Sequence, residues 1–529
     1  MVDTRIAIVG AGIAGISAAH RLYQNGFKNF VILEAKDQIG GRIRSIKFDN
    51  NWIELGAQWI HGQQGNILYD FADKNELIAD LTKDFGLEAN GFFCTDDGDL
   101  IESNLVRDLI VYVDEKKEDI RNIDEINFNV FEYFRAAFDD FVRSRVDSEE
   151  IIESDLETIN LLRKVFRWFI IYEVIDNSCD NLRELSSLSY IEWHNCFGTV
   201  DLINLKNGYV SVLNKLVEDF PFENHLRLNT VVERISTTFD YTSASIELKL
   251  IDNSVNSREE NHFEYFDHVI LTSSLGFLKA NLTTGFFDFD LPDRKSAIIK
   301  ALGFSAINKV YLYFDRPFWI KETKGFQILW SNISDQHSYS MSEPKVLNDW
   351  ENQAQKFPSW VYCIQGFDRV YNQPNMLMAW IGSYGAKQIE SLDDDEIAEC
   401  LTEVLETIVP QSCRLIGSVI AKPSKIFCTR WNSEPYVLGS YSNRTLEYGH
   451  LCSDNHRHNI EILSEPLRYK DIIKPSIDHN LQTKSDWPLI HFAGEATDFE
   501  FYSTTHGAMQ SGIREANRII EFHRSKLKN

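Results

Sequence analysis

The opening of the chain constrains its fold more than any other stretch. The apolar run Ile6-Ala7-Ile8-Val9 leads directly into Gly10, Gly12 and Gly15 in GxGxxG spacing. A helix-like segment follows, then a second apolar run, Phe30-Val31-Ile32-Leu33, that ends at Glu34. Strand, glycine turn, helix and strand in that order make a parallel βαβ unit. The first glycine makes a tight turn, the second lets a pyrophosphate reach the backbone, and the third lets helix and strand pack closely. The helix start, with Ala14 in its first turn, presents free N–H groups and a positive dipole end to phosphate. Glu34 is placed to accept hydrogen bonds from a ribose, which favours FAD or NAD over NADP.

Gly40-Gly41-Arg42 follows within a few positions. A guanidinium there can clamp a pyrophosphate bidentately, although a glycine turn with a surface arginine would read the same. The whole string LEAKDQIGGRIRS resembles the flavin-containing amine oxidase family, in which this segment carries FAD.

Length allows two sizeable domains: the chain has 529 residues, 43% hydrophobic and 12% aromatic. No apolar run is long enough to span a membrane, and with a first strand beginning at Arg5 no signal peptide is expected. Eight cysteines without paired spacing suit free thiols in a reducing, cytoplasmic setting. The Ser525-Lys526-Leu527 triplet is not terminal and gives no peroxisomal address. A net charge of −26 argues against nucleic acid and is compatible with a cationic substrate drawn in by the protein's field.

Periodicity divides the chain. From about 101 to 195 the pattern is helical, with Val165, Phe169, Ile170 and Val174 on one stripe and Ser148 to Glu157 read as a solvated helix face. Strand-like runs return at Leu226–Ile235, Ala244–Ile251 and His268–Thr272, with a polar loop at Asn253–Asn261. Ala306–Phe314 alternates. Asp393-Asp394-Asp395-Glu396 reads as the cap of a helix to about Ile408, not as metal ligands. Pro488–Glu495 is a strand running into a glycine turn, and a helix follows from about His506. His450, Cys452, His456 and His458, near Glu447 and Asp454, match no zinc spacing and read as an exposed loop.

Four further motifs extend the resemblance along the chain, and it implies a role for each. In Glu54-Leu55-Gly56-Ala57-Gln58-Trp59-Ile60-His61-Gly62, the residues Gly56, Ala57, Gln58 and Trp59 would run past the flavin ring. The Trp-Ile-His-Gly form looks like the polyamine oxidase branch, with His61 on the substrate path. INKVYLYFDRPFW resembles the strand whose lysine, here Lys309, holds a water against flavin N5. Burial among apolar walls would favour its neutral amine. Thr429-Arg430-Trp431, Tyr436 and Gly439-Ser440-Tyr441-Ser442 match a stretch that in monoamine oxidases holds a flavin-linked cysteine. Ser440 stands at that position, so FAD should be non-covalent, and Tyr441 matches one wall of the amine cage. In HFAGEATDFEFYSTTHGAMQSG, Glu495 matches an acid that meets FAD, and Thr504 stands where a second cage tyrosine would be. The helix after Thr505 would aim its N-terminus at the ring. Two weaker matches are Val232, toward the adenine, and Glu184 with Ser186, toward the far end of the substrate. A solvated surface glutamate fits Glu184 equally well.

The reading is an α/β, two-domain flavoprotein. A discontinuous Rossmann-like FAD-binding domain (1–85, 200–285, 415–529) would join a mixed sheet-and-helix substrate domain (86–199, 286–414). The resemblance implies an FAD-dependent polyamine oxidase, a monomer acting on spermine or N1-acetylspermine with O2. The products would be spermidine, an aminopropanal or its acetylated form, and hydrogen peroxide. An oxidase of histone methyl-lysine and a non-catalytic FAD-binding sensor are the other readings, although no sustained heptad insertion marks the former.

Overall fold

A computed structural model describes residues 3–80, 91–152, 155–239, 244–253, 262–331, 356–451, 457–472 and 486–526. Its first layer is a six-stranded sheet. The strands run in the order Leu467–Arg468, Pro488–Phe492, His268–Leu271, Ile6–Val9, Phe30–Leu33 and Leu226–Arg227, all parallel except the Leu467–Arg468 edge. Both faces of the central strands are covered, which explains why they read as unbroken apolar runs and not as alternating ones. The sheet gathers N-terminal, central and C-terminal pieces of the chain, as the discontinuous reading expected. The first helix, Ile13–Gln24, lies against the C-terminal helix, Thr505–Lys526. A Cβ at Gly512 would sit 2.0 Å from the Ala14 carbonyl oxygen, so the two helices touch backbone to backbone.

The second layer is a seven-stranded sheet in the order Lys425–Cys428, Asn308–Tyr313, Gln373–Ile381, Ile364–Val370, Gly325–Leu329, Phe92–Thr95 and Leu100–Ile101. Its one parallel pairing joins Gly325–Leu329 to Phe92–Thr95. The helix Asp394–Ile408 buries Ile397, Leu401, Val404, Leu405 and Ile408 in the same core, the stripe that a 3.6-residue period dictates. Asp393 caps it, its carboxylate accepting from the Glu396 N–H at 2.8 Å. Lys425–Cys428, placed by the sequence in the 415–529 segment, pairs with the Lys309 strand in this second sheet.

Three helices, Asn104–Asp119, Val130–Asp147 and Leu156–Asp176, form the insertion. The charged run at 148–157 is not one helix face, because Ser148 ends the second helix and Leu156 and Glu157 already belong to the third. Asp155 caps that third helix by accepting from the Thr158 N–H at 3.1 Å. A three-stranded antiparallel sheet, Thr230–Phe239, Ala244–Asp252 and His262–Phe266, contains one strand more than the sequence indicated. The last of these is mostly exposed, so its hydrophobic pattern is weak. Asn253 is described, whereas the rest of the loop read at 253–261 lies outside the described residues. Glu447 and His450 sit on a short helix, Leu446–Leu451, and not on a loop. Cys452, Asp454 and His456 lie outside the described residues, and among those described no cluster could hold a metal.

Candidate active site

One cavity of about 540 Å³ runs from the first glycine turn, between the two sheets, to the ends of the inserted helices. At the turn, the three glycines separate by task. Gly10 has φ +103°, and a Cβ there would lie 2.5 Å from Thr272 Oγ1. At Gly15 a Cβ would lie 2.0 Å from the Gly10 carbonyl oxygen. That glycine serves packing and does not line the cavity. Gly12 meets nothing nearer than the Gly40 oxygen at 3.8 Å, and Gly41 nothing nearer than the Gly12 Cα at 3.7 Å. Both face the cavity, so they leave a cradle that side chains would fill. Ala14 and Val232 line the same end. The Glu34 carboxylate is anchored by the Ala11 N–H at 2.7 Å and the Lys36 N–H at 3.0 Å, and burial raises its pKa.

Arg42 reaches the cavity, but its guanidinium is already bonded to Glu495 Oε1 at 2.8 Å and to the Ser440 carbonyl at 2.9 Å. The other Glu495 oxygen accepts from Ser442 Oγ and the Ser503 N–H. Glu495 therefore joins three segments and orients Arg42. Tyr436 and Trp431 line the wall, with Trp431 Nε1 donating to the Leu55 carbonyl at 3.1 Å. Ser440 is tied to Ile307 on the strand leading to Lys309.

Gly56, Ala57, Gln58 and Trp59 line the middle of the cavity. A Cβ at Gly56 would meet the Arg42 carbonyl oxygen at 1.8 Å, so its missing side chain is required first by that close backbone contact. Lys309 is 3% exposed. Its Nζ donates to the Glu54 carbonyl at 2.9 Å, the Gly56 carbonyl at 2.7 Å and Gln58 Oε1 at 2.8 Å, and it lies 4.4 Å from the Trp380 ring centroid. This is a polar cage with an aromatic floor, where the sequence had indicated apolar walls. Thr504 caps the C-terminal helix by accepting from the Gly507 N–H at 3.0 Å, and Thr505 begins it, so the helix N-terminus does open on the cavity.

Tyr441 walls the cavity and donates to the Ile175 carbonyl at 2.7 Å. His61 lies at the end of its strand beside the Trp193 ring. Burial lowers its pKa against the opposing pull of Asp176. Glu184 and Ser186, proposed for the far end of the substrate, do not line the cavity. Glu184 is exposed near Asp180 and Lys387, and Ser186 is buried with its hydroxyl donating to Asn127 Oδ1. Both lie past the turn that follows the Leu156–Asp176 helix, and that turn carries them out of reach.

Glu118 and Asp176 do line the cavity, together with Tyr172, Tyr190 and Trp380. All five were missed. The two acids are the penultimate and last residues of their helices, Asn104–Asp119 and Leu156–Asp176, where a charge reads as a solvated helix end. The available signal was the position of Asp176 at the close of the apolar run Phe169-Ile170-Ile171-Tyr172 through Ile175.

The family model described as flavin containing amine oxidoreductase matches residues 13–520. The chain belongs to that family. It is thus a flavin-dependent amine oxidase, and the Gly12–Gly41 cradle beside Glu34 fits the dinucleotide part of such a cofactor. Among relatives, the human peroxisomal N(1)-acetyl-spermine/spermidine oxidase is 28% identical over 98% of this chain and 94% of its own. Probable polyamine oxidase 5 of Arabidopsis thaliana is 26% identical over 98% of each. Wild-type putrescine oxidase bound to putrescine superposes with a TM-score of 0.63 at 16% identity, covering 98% of this chain and 99% of that one. That likeness concerns the amine oxidase fold alone.

Proposed function

We propose that this amine oxidase is a polyamine oxidase. It binds FAD non-covalently and uses O2 to oxidise a secondary amine of spermine or N1-acetylspermine. The products are spermidine, 3-aminopropanal or 3-acetamidopropanal, and hydrogen peroxide. The observation that carries the substrate class is the pair of carboxylates, Glu118 and Asp176, lining the same cavity as Lys309 with Lys117 and Arg121 beside them, Arg121 lying 3.7 Å from Glu118. An extended polycation needs an acid for its distal ammonium as well as a neutral nitrogen at the reacting carbon. The names of the human and Arabidopsis relatives agree with this reading.

Bound FAD supplies the two-electron acceptor and the route to O2. The residues do the rest. Gly12 and Gly41 admit the pyrophosphate, Arg42 meets its charge while held by Glu495, and Glu34 takes the ribose. Ser440 offers no thiol for a covalent link. Tyr441 and Trp59 confine the amine, and a neutral His61 accepts a hydrogen bond from it. Water adds to the iminium carbon after oxidation and releases amine and aldehyde, beside the Lys309 ammonium, whose three hydrogens go to Glu54, Gly56 and Gln58. A monomer in the cytoplasm completes the proposal, in keeping with the free state of all seven cysteines among the described residues.

The test is the visible spectrum of purified protein, titrated anaerobically with spermine and then N1-acetylspermine. Rapid bleaching by either supports the reading and ranks the two amines. A bound flavin that neither amine bleaches overturns it.

A further inference from the structure

Lys309 and the N-terminus of the C-terminal helix approach the cavity from different layers, and one residue touches the supports of both. Glu54 ends the strand Asn51–Glu54. Its backbone carbonyl accepts from Lys309 Nζ at 2.9 Å and from the Tyr311 hydroxyl at 2.6 Å. Its carboxylate accepts from Ser45 Oγ at 2.6 Å and the Tyr209 N–H at 2.7 Å, and Ser45 Oγ in turn accepts from the Val210 N–H at 3.0 Å. The Tyr209 phenol is hydrogen-bonded to the Thr505 hydroxyl, the first residue of the C-terminal helix. Glu54 itself does not line the cavity.

We propose that Glu54 is a positioning residue for amine oxidation. It ties the Lys309 cage to the Tyr209–Thr505 contact and places one carboxyl charge behind Lys309. The inference rests on the amine oxidase reading and extends it to a residue that touches neither substrate nor cofactor.

The surroundings give that charge consequences. Ser45 and the Tyr209 N–H bond the carboxyl directly, while the Tyr209 and Tyr311 phenols and the Lys309 ammonium act on it through space. Burial pushes its pKa up to about 7, while Ser45, Tyr209 and Lys309 pull the other way. The same charge raises the pKa of both tyrosines, although burial is the larger cause for each. The carboxyl is thus raised toward neutrality, and the cation that opposes the shift is Lys309, whose Nζ is held by the backbone of the same residue.

The experiment compares wild type, Glu54→Gln and Lys309→Met as holoenzymes across about pH 6 to 8. Flavin reduction by spermine and reoxidation by O2 are followed separately. The expected result is a step near neutrality in one half-reaction of the wild type that is absent in Glu54→Gln at normal flavin content. A Glu54→Gln enzyme with the wild-type profile in both half-reactions overturns the proposal, even if it is less stable. A second measurement covers failure of that variant to fold. The protonated-carboxyl band in pH-difference infrared spectra should fade near neutrality in wild type and at higher pH in Lys309→Met, where the cation is gone. Identical spectra in the two proteins also overturn it. Failure of the polyamine reading looks different, since no amine would bleach the flavin in any of the three proteins.

Discussion

Two glycines three positions apart make the clearest contrast between packing and binding. A valine at Gly15 would drive its Cβ into the Gly10 carbonyl, so Gly15→Val should not fold to a soluble, cooperative protein. A Cβ at Gly12 makes only an ordinary contact with the Gly40 oxygen at 3.8 Å, so Gly12→Val should keep the far-UV spectrum of the wild type and purify without flavin. Yellow Gly12→Val protein would contradict the cradle. Lys309→Met removes the cation from the cage of Glu54, Gly56 and Gln58 and, on the proposed mechanism, should lower turnover by on the order of 100-fold. A full-speed variant would remove Lys309 from the mechanism. Glu54 carries a stability prediction with a definite sign. Its folded pKa lies above the ordinary 4.5, so between there and about 7 the native state binds more protons than the unfolded chain. Ionising it therefore costs stability, and wild type should lose stability relative to Glu54→Gln as pH rises through that window. Denaturant midpoints across the window would reverse the assignment if they moved together.

Elements of this fold take their ends from local chemistry. The Asp393 cap is independent of the cavity, so Asp393→Ala should cost about 1 kcal/mol and leave kcat unchanged. A thermal midpoint equal to wild type would show that the other first-turn acids compensate. The Leu156–Asp176 helix has a different balance. It buries Glu173 completely against Lys117, which also holds Asp114 at 2.9 Å, and burial raises the pKa of that glutamate. These bonds pin the helix end that presents Asp176. The acids of the site are thus carried by the ends of buried helices, which are stiffer than a loop and better able to hold a carboxylate in one place.

The whole molecule acts through its field. A net charge of −26 surrounds a cavity whose far end holds Glu118 and Asp176 alongside Lys117 and Arg121, so the pull on a cation comes from the molecule's overall charge. A polycation should be steered toward it, and salt should weaken the steering within a Debye length of about 8 Å at physiological ionic strength. We expect kcat/KM for spermine to fall as salt rises while kcat stays level. A flat kcat/KM would assign the negative charge to solubility alone. The helical insertion and the seven-stranded sheet each supply one wall of that cavity, so neither layer holds the site without the other.

Much of this protein was readable from its residues, because the relevant physics acts over short separations. A glycine turn, a strand after it and an acid at the next strand's end lie within one βαβ unit, and an acidic run before an amphipathic stripe caps its own helix. The same locality explains the errors. Charges just after Ser148 and at the ends of two helices look alike in sequence, although the first follow a helix end and the others line the cavity. Only the tertiary structure decided that Glu118 and Asp176, and not Glu184, line the cavity. It also decided that Lys309 sits among carbonyls some 250 positions away in the chain. Burial, and with it every shifted pKa in the site, depends on which distant elements close over a side chain, and spacing along the chain does not encode that.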